Sequence, residues 1–165
     1  MINFNRDSFV EKLTRYHGAV KKTQDTVDKV FDAGFQNIFF VGIGGSYSCC
    51  MPVDANLQGK TSLHYYAENA AEFVTIGNGR LGEGSVVFVA SWSGTTKEII
   101  KAVEFAQSKG AKVVGFIEKP DAPLAKSVDY LIQNDGGEDV YWLTAALRLM
   151  HRNGEFAEYD RFIAE

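Results

Sequence analysis

The sequence predicts an α/β domain: a five-stranded parallel sheet in the flavodoxin-like order 2-1-3-4-5, with helices on both faces. Three observations lead there. Short apolar runs without alternation, Val86 to Ala90 the clearest, read as strands covered on both faces. These runs alternate with segments of helical apolar spacing, as crossover connections between parallel strands require. Turns rich in glycine and hydroxyl residues follow the first and third runs, and in that order those two strands are neighbours at the switch point.

Residues 7–33 predict helix, because Phe9, Leu13, Tyr16, Val20, Val27, Val30 and Phe31 recur at three, four and seven. Gly18 is expected to split the stretch into two helices, and Gly34 to stop it. His17 falls at a helix end and reads as a surface or capping residue. Asn37 to Ile43 is the first strand. It runs into Gly42-Ile43-Gly44-Gly45-Ser46-Tyr47-Ser48 and a helix to about Gln58, with Pro52 expected in the first turn or two. The dinucleotide-binding fingerprint fails here, since Tyr47 stands where its third glycine belongs. Ser62 to Ala67 is the second strand, with His64 packed within it. Glu68-Asn69-Ala70-Ala71-Glu72-Phe73 follows at the carboxyl end, where open α/β sheets bind ligands; an acidic helix start explains Glu68 and Glu72 equally well.

Residues 76–84 hold four glycines and read as a loop. The third strand begins at Ser85, and its helix runs to about Lys109 before Gly110. Lys112 to Ile117 is the fourth strand. Pro120, Asp121 and Pro123 mark a loop, with a helical turn near Leu124, and Val128 to Ile132 is the fifth strand. Asp135-Gly136-Gly137 breaks the chain. A helix from Asp139 to about Arg152 is expected to turn Val140, Leu143, Thr144, Leu147 and Met150 inward, with Tyr141 and Trp142 in core or interface packing. Phe156, Tyr159, Phe162 and Ile163 give a last short amphipathic helix.

A chain of 165 residues suits one domain: helices over 1–33, an α/β core over 34–152 and a terminal helix over 153–165. Apolar residues make up 45% and charged ones 23%, as in ordinary globular proteins. A net charge of −4 argues against general nucleic-acid binding. No apolar run reaches the ~18 residues that span a membrane, and the first residues carry no signal-peptide core, so a cytoplasmic location is expected. Cys49 and Cys50 are adjacent and read as small packing residues in a reducing compartment. His17, His64 and His151 have no metal-ligand spacing; no metal and no cofactor are expected.

The chemistry concentrates in the two turns. Ser91, Ser93, Thr95 and Thr96 crowd around Gly94 between a strand and a helix. One helix cap uses one hydroxyl, and four exceed that need. Backbone N–H groups, hydroxyls and the roughly half positive charge of a helix N-terminus then meet at one spot, which suits an anion and above all a phosphate. After the first strand, Gly44 and Gly45 allow close backbone approach, while Ser46 and Ser48 add hydroxyls. Two anion-cradling turns on neighbouring strands would face one crevice.

Gly44-Gly45-Ser46-Tyr47-Ser48 together with Ser91-Trp92-Ser93-Gly94-Thr95-Thr96 resembles the paired phosphosugar-binding signature of the sugar isomerase (SIS) domain. Asn69-Ala70-Ala71-Glu72-Phe73 and the ending Leu147-Arg148-Leu149-Met150-His151-Arg152-Asn153-Gly154-Glu155-Phe156 resemble the fructosamine-6-phosphate deglycases, relatives of the isomerase domain of glucosamine-6-phosphate synthase. The resemblance covers about Gly34 to the end. It implies that Ser46, Ser91, Ser93 and Thr96 bind a sugar phosphate, with Gly44, Gly45, Ser48, Gly94 and Thr95 completing the cradle. Trp92 holds a position often occupied by a polar residue such as Gln, and neither turn contains Arg or Lys.

The deglycases resemble two such domains in tandem, with catalytic Glu and His in the second. Glu72 matches the pseudo-symmetric position of that Glu and is the candidate catalytic residue here. The resemblance therefore implies half of a deglycase that converts a fructoselysine-6-phosphate-like substrate to glucose 6-phosphate and an amine. Its partners would be a sugar-phosphate ligand and a second SIS domain or further copies of the chain; this half alone would turn over poorly or not at all. Two other readings stand beside it. One is a phosphosugar-sensing domain of a transcription regulator, although residues 1–33 carry no helix-turn-helix with a basic face. The other is a single-domain aldose–ketose isomerase using Glu72 or His64 from neighbouring subunits. Oligomerisation is expected on any reading, because Phe156, Tyr159 and Phe162 would otherwise be exposed.

Overall fold

The computed structural model describes residues 5–133 and 138–164. Five strands, β1 (Asn37–Gly42), β2 (Tyr65–Asn69), β3 (Ser85–Ser91), β4 (Lys112–Ile117) and β5 (Tyr130–Gln133), form one sheet in the order β2-β1-β3-β4-β5, every pair parallel. The helices are α1 (Arg6–Ala33), α2 (Gly45–Leu57), α3 (Ala70–Thr75), α4 (Lys97–Ser108), α5 (Pro123–Ser127), α6 (Glu138–Arg152) and α7 (Tyr159–Ala164). The expected strand number, direction and order all hold.

The two-residue period of a strand sends alternate side chains to opposite layers. Ile38, Phe40, Val86, Phe88, Val114 and Phe116 face α1, α2 and α6, where Val30, Val53, Trp142 and Leu149 meet them. Phe39, Val41, Val87, Val89 and Val113 face the other way, onto Phe73, Ile99, Val103 and Leu124. Both faces are covered, so β1 and β3 are buried at every position. Phe40, Phe88 and Phe116 stack across three strands at centroid spacings of 5.4 and 6.1 Å. The Trp142 ring stands edge-on to Phe40 and Phe116 at 6.0 and 5.1 Å, contacts that each add about 0.5–1.5 kcal/mol beyond burial.

Several elements depart from expectation. Gly18 does not split α1, which is continuous; one helical glycine costs only about 1 kcal/mol against alanine. In the first half of α1, Phe9, Val10 and Leu13 are about half exposed, and among the described residues Ala19 is the first buried one. Pro52 lies in the interior of α2, beyond its first two turns, because the helix already begins at Gly45. β2 starts at Tyr65 rather than Ser62, since Thr61 and Ser62 bind Glu155 instead. His64 thus precedes β2 and is exposed, not packed within it. β5 starts two residues later than expected, at Tyr130. The buried face of α6 is Tyr141, Trp142, Thr144, Ala145, Ala146, Leu149 and Met150, with Val140, Leu143 and Leu147 half-buried. The break at Asp135-Gly136-Gly137 and the side chains of Tyr16, Phe162 and Ile163 lie outside the described residues.

The chain end also folds back. Tyr159 is fully buried and Phe156 half-buried, so these two need no partner copy to cover them. The Tyr159 hydroxyl accepts from Gln24 Nε2 at 3.1 Å, its ring stacks on His151 at 5.1 Å, and the Arg148 guanidinium lies over it at 5.4 Å. Arg148 also forks onto both oxygens of Asp28 at 2.8 Å each, and Arg152 adds Asp28 and Asp32 at 2.9 and 2.5 Å, clamping α6 to α1. The Arg148 hydrogen bonds hold the Asp28 carboxyl below its ordinary range. Glu155 is a second latch. It accepts from Thr61 Oγ1 at 2.5 Å and from Ser62 N and Oγ at 2.6 Å each, joining the α6–α7 connection to the segment before β2. Burial alone would raise its pKa, but the Ser62 and Thr61 hydrogen bonds outweigh that and hold it at about 2.

Candidate functional site

The carboxyl ends of β1 and β3 are adjacent, with Val41 paired to Val89. At Gly42 the chain folds back over its own strand so tightly that a Cβ would meet Tyr47 N at 2.6 Å and the Ser46 carbonyl carbon at 2.7 Å. Gly44, at φ +55°, is the N-cap residue of α2, and no side chain caps that helix. The Ser46 hydroxyl donates to the Ala90 carbonyl at 3.4 Å and ties this turn to the end of β3. Ser48 donates back to the Gly44 carbonyl at 3.2 Å.

The second turn braces itself. Ser91 is only 2% exposed; its Oγ accepts the Gly94 N–H at 3.1 Å and shares a 2.9 Å bond with Thr96 Oγ1. Ser93 Oγ accepts from Thr95 N at 3.2 Å and from Thr95 Oγ1 at 2.9 Å. Gly94, at φ +64°, is wedged against the connection after β4, where a Cβ would run into Ala122 Cβ and approach Ile117 Cγ2 to 3.1 Å. Thr96 is the N-cap residue of α4, yet its hydroxyl is turned to Ser91 and caps nothing.

That last point is a contrast within one molecule. Asn5 caps α1 through Ser8 N, and Asn69 caps α3 through Ala71 N, each at 3.0 Å. α2 and α4, which follow the neighbouring strands β1 and β3, have no side-chain cap, and neither has the five-residue α5. Their first-turn N–H groups carry the positive end of the helix dipole and lack intrahelical acceptors. No Lys or Arg lies within 44–48 or 91–96; Lys97 follows, exposed. The arrangement offers an anion dipoles and hydroxyls. Trp92, 53% exposed, stands at its rim.

Two cavities flank the turns along the same sheet edge. One of about 250 Å³ lies beside the first turn, lined by Tyr47, Ala67, Glu68, Asn69, Glu72, Ile76 and Gly77. Glu72 is exposed there, in the first turn of α3, and Glu68 Oε1 accepts from Asn78 Nδ2 at 2.6 Å. The other, of about 480 Å³, lies beyond β4 between Arg15, Glu118, Lys119, Asp121 and Gln133. His64 is at the opposite, amino edge, in a cavity with Asn37 and Arg80, so one chain does not bring it to Glu72. Sequence reasoning missed Ala122, which sets the height of Gly94, and Asn78, which holds Glu68. No sequence signal marks either, since both contacts come from separate loops. Among the described residues no group of three or more His, Cys, Asp or Glu could hold a metal ion, and no helix is long and apolar enough to cross a membrane.

A sequence profile of the SIS domain matches residues 33–152. Fructosamine deglycase FrlB of Bacillus subtilis is 35% identical over 117 residues, 70% of this chain and 34% of that protein. The HTH-type transcriptional regulator RpiR of Escherichia coli K12 is 33% identical over 91 residues, 55% of this chain and 30% of its own. Among solved structures, a candidate phosphosugar isomerase from Salmonella typhimurium LT2 superposes with a TM-score of 0.81 at 27% identity, over 88% of this chain and 47% of that one. The chain spans about a third of the length of these curated relatives.

Proposed function

The chain belongs to the SIS domain family, and from that premise we propose that it is the phosphosugar-binding half of a fructosamine-6-phosphate deglycase. The observation that carries the proposal is the pair of helix N-termini without side-chain caps, α2 and α4, which follow the neighbouring strands β1 and β3. The phosphate of the substrate sits there. It accepts hydrogen bonds from backbone N–H groups of both turns and from the hydroxyls of Ser93 and, with Ser91 donating to it, Thr96; those of Ser46 and Thr95 join once they turn from the Ala90 carbonyl and from Ser93 Oγ. Each hydrogen bond to the dianion contributes roughly 1.5–3 kcal/mol.

Anchoring the remote phosphate orients the reacting end. A carboxylate then takes a proton from C1 of the ketoamine as the C2 oxygen gains one, giving the enaminol, and returns it to C2 as the nitrogen gives up its proton. The double bond is thereby left between C1 and nitrogen. Water adds at C1, the amine leaves, and glucose 6-phosphate is released. Glu72 is the carboxylate this chain offers, in the cavity next to the first turn. A second SIS domain or another copy of the chain closes the site.

FrlB, named a fructosamine deglycase and 35% identical, supports the deglycase reading. The match to RpiR favours a second reading, a phosphosugar-sensing domain. Fructoselysine 6-phosphate separates them. Release of glucose 6-phosphate once a second SIS domain is added is the deglycase result, full turnover by this chain alone refutes the half-enzyme reading, and binding without turnover in both arms is the sensor result. A thermal shift with fructose 6-phosphate and inorganic phosphate but none with NAD is the result expected of the crevice itself. Absence of any shift refutes phosphate binding at the two turns.

A further inference from the structure

We infer that the amino edge of the sheet carries a second binding site, for a small polyhydroxylated carboxylate such as a sugar acid. The site is separate from the two turns and does not depend on phosphate binding there. It is the cavity of about 400 Å³ lined by Gln36, Asn37, His64, Tyr66, Gly79 and Arg80. That volume falls in the range of small-molecule sites.

Asn37 is the first observation. It opens β1, is only 8% exposed, and its Oδ1 is buried without a hydrogen-bond partner. The large majority of buried side-chain polar atoms have one. Among the described residues one other such atom lacks a partner, Trp142 Nε1, and that ring stands in the aromatic stack under α6. Turning the Asn37 amide over does not cure the defect. Its Nδ2 donates to the Arg80 carbonyl at 2.9 Å, so a flipped amide would set oxygen against oxygen. That segment is itself held: the Arg80 carbonyl accepts from Ser85 Oγ at 3.3 Å, and the Arg80 N–H donates to Asn78 Oδ1 at 2.9 Å. The acceptor is therefore fixed in orientation, in a residue of the cavity wall, and calls for a donor from outside the chain.

A water would satisfy Asn37 alone. The second observation asks for more. Arg80 is exposed on the same cavity, and among the described residues no carboxylate pairs with it. No acidic residue lines the cavity either. A guanidinium without a partner takes a carboxylate through two parallel hydrogen bonds. Exposed Gln36 and His64 and half-buried Tyr66 add groups that exchange hydrogen bonds with hydroxyls. The complementary ligand has a carboxylate for Arg80 and a hydroxyl that donates to Asn37 Oδ1. An ammonium in place of that hydroxyl would be repelled by the guanidinium.

The test is proton NMR at pH 7 on the His64 ring signals, assigned with His64→Gln. The probes are gluconate, hexanoate, which has no hydroxyl, and sorbitol, which has no charge. Gluconate should shift the His64 signals saturably and bind at least about tenfold tighter than either of the others. Arg80→Gln leaves the backbone carbonyl on Asn37 and should weaken gluconate about tenfold or more; its unliganded melting temperature shows that it is folded. Ser93→Ala, in the other site, should leave gluconate affinity unchanged. Hexanoate binding as tightly as gluconate means an anion held by Arg80 alone and overturns the role of Asn37. Undiminished binding in Arg80→Gln overturns the site, and a loss of binding in Ser93→Ala places gluconate in the crevice instead. No saturable shift of His64 leaves Asn37 with a water only and overturns the inference.

Discussion

Gly94→Ala tests how the second turn is built. The alanine must adopt φ near +64°, at a cost of about 1–2 kcal/mol outside glycine. Its Cβ also runs into Ala122 and presses on Ile117 Cγ2 at 3.1 Å. Overpacking of that kind costs about 1–3 kcal/mol, so the expected total is about 2–5 kcal/mol. Urea unfolding followed by far-UV circular dichroism measures it. The double variant Gly94→Ala with Ala122→Gly keeps the backbone cost and the Ile117 contact but removes the nearer obstacle, so it should recover part of the loss. Sugar-phosphate affinity should fall in the single variant, because Gly94 N–H donates to Ser91 and the turn moves as a unit. A single variant within about 0.5 kcal/mol of wild type would refute the geometry, as would a double variant with no recovery.

Ser93→Ala removes a hydroxyl from the crevice and leaves the core untouched; fructose 6-phosphate affinity should drop about tenfold with the melting temperature nearly unchanged. Glu155→Gln loosens the latch onto Thr61 and Ser62, at about 1–3 kcal/mol at pH 7 by chemical unfolding. The folded Glu155 carboxyl titrates near pH 2, below its ordinary 4.5, so its stabilisation is present above pH 4.5 and is lost as pH falls towards 2. Glu155→Gln should flatten that part of the stability–pH curve. Arg148→Ala strips the fork from Asp28 and the cation from the Tyr159 ring; a loss of about 2–4 kcal/mol and a rise in the Asp28 pKa by NMR titration are expected.

The sheet was legible because its central strands leave no ambiguity. β1 and β3 are buried on both faces, so apolar runs without alternation are their only stable spelling. The shape of the two turns was legible for a related reason: Gly44 and Gly94 take positive φ, and Gly42 leaves no room for a Cβ. Features made by packing between distant segments were not. The apolar spacing of α1 continues through Phe9 and Leu13, yet both side chains are about half exposed. The inward face of α6 differs from its apolar spacing because Ala145 and Ala146, both fully buried, carry little hydrophobic weight. Tyr159 looked stranded on a terminal helix because nothing in its neighbourhood of the chain announces Gln24 or Arg148. Likewise the hold of Asn78 on Glu68 comes from a glycine-punctuated loop that reads as a mere spacer.

The placement of the two tryptophans gives the molecule a pair of independent reporters. Trp142 is sealed in the aromatic stack under α6, whereas Trp92 is half in water at the rim of the crevice. Their emission therefore separates by colour and by access to a soluble quencher such as iodide. An occupied crevice dims or blue-shifts the red component alone; global unfolding shifts the blue one.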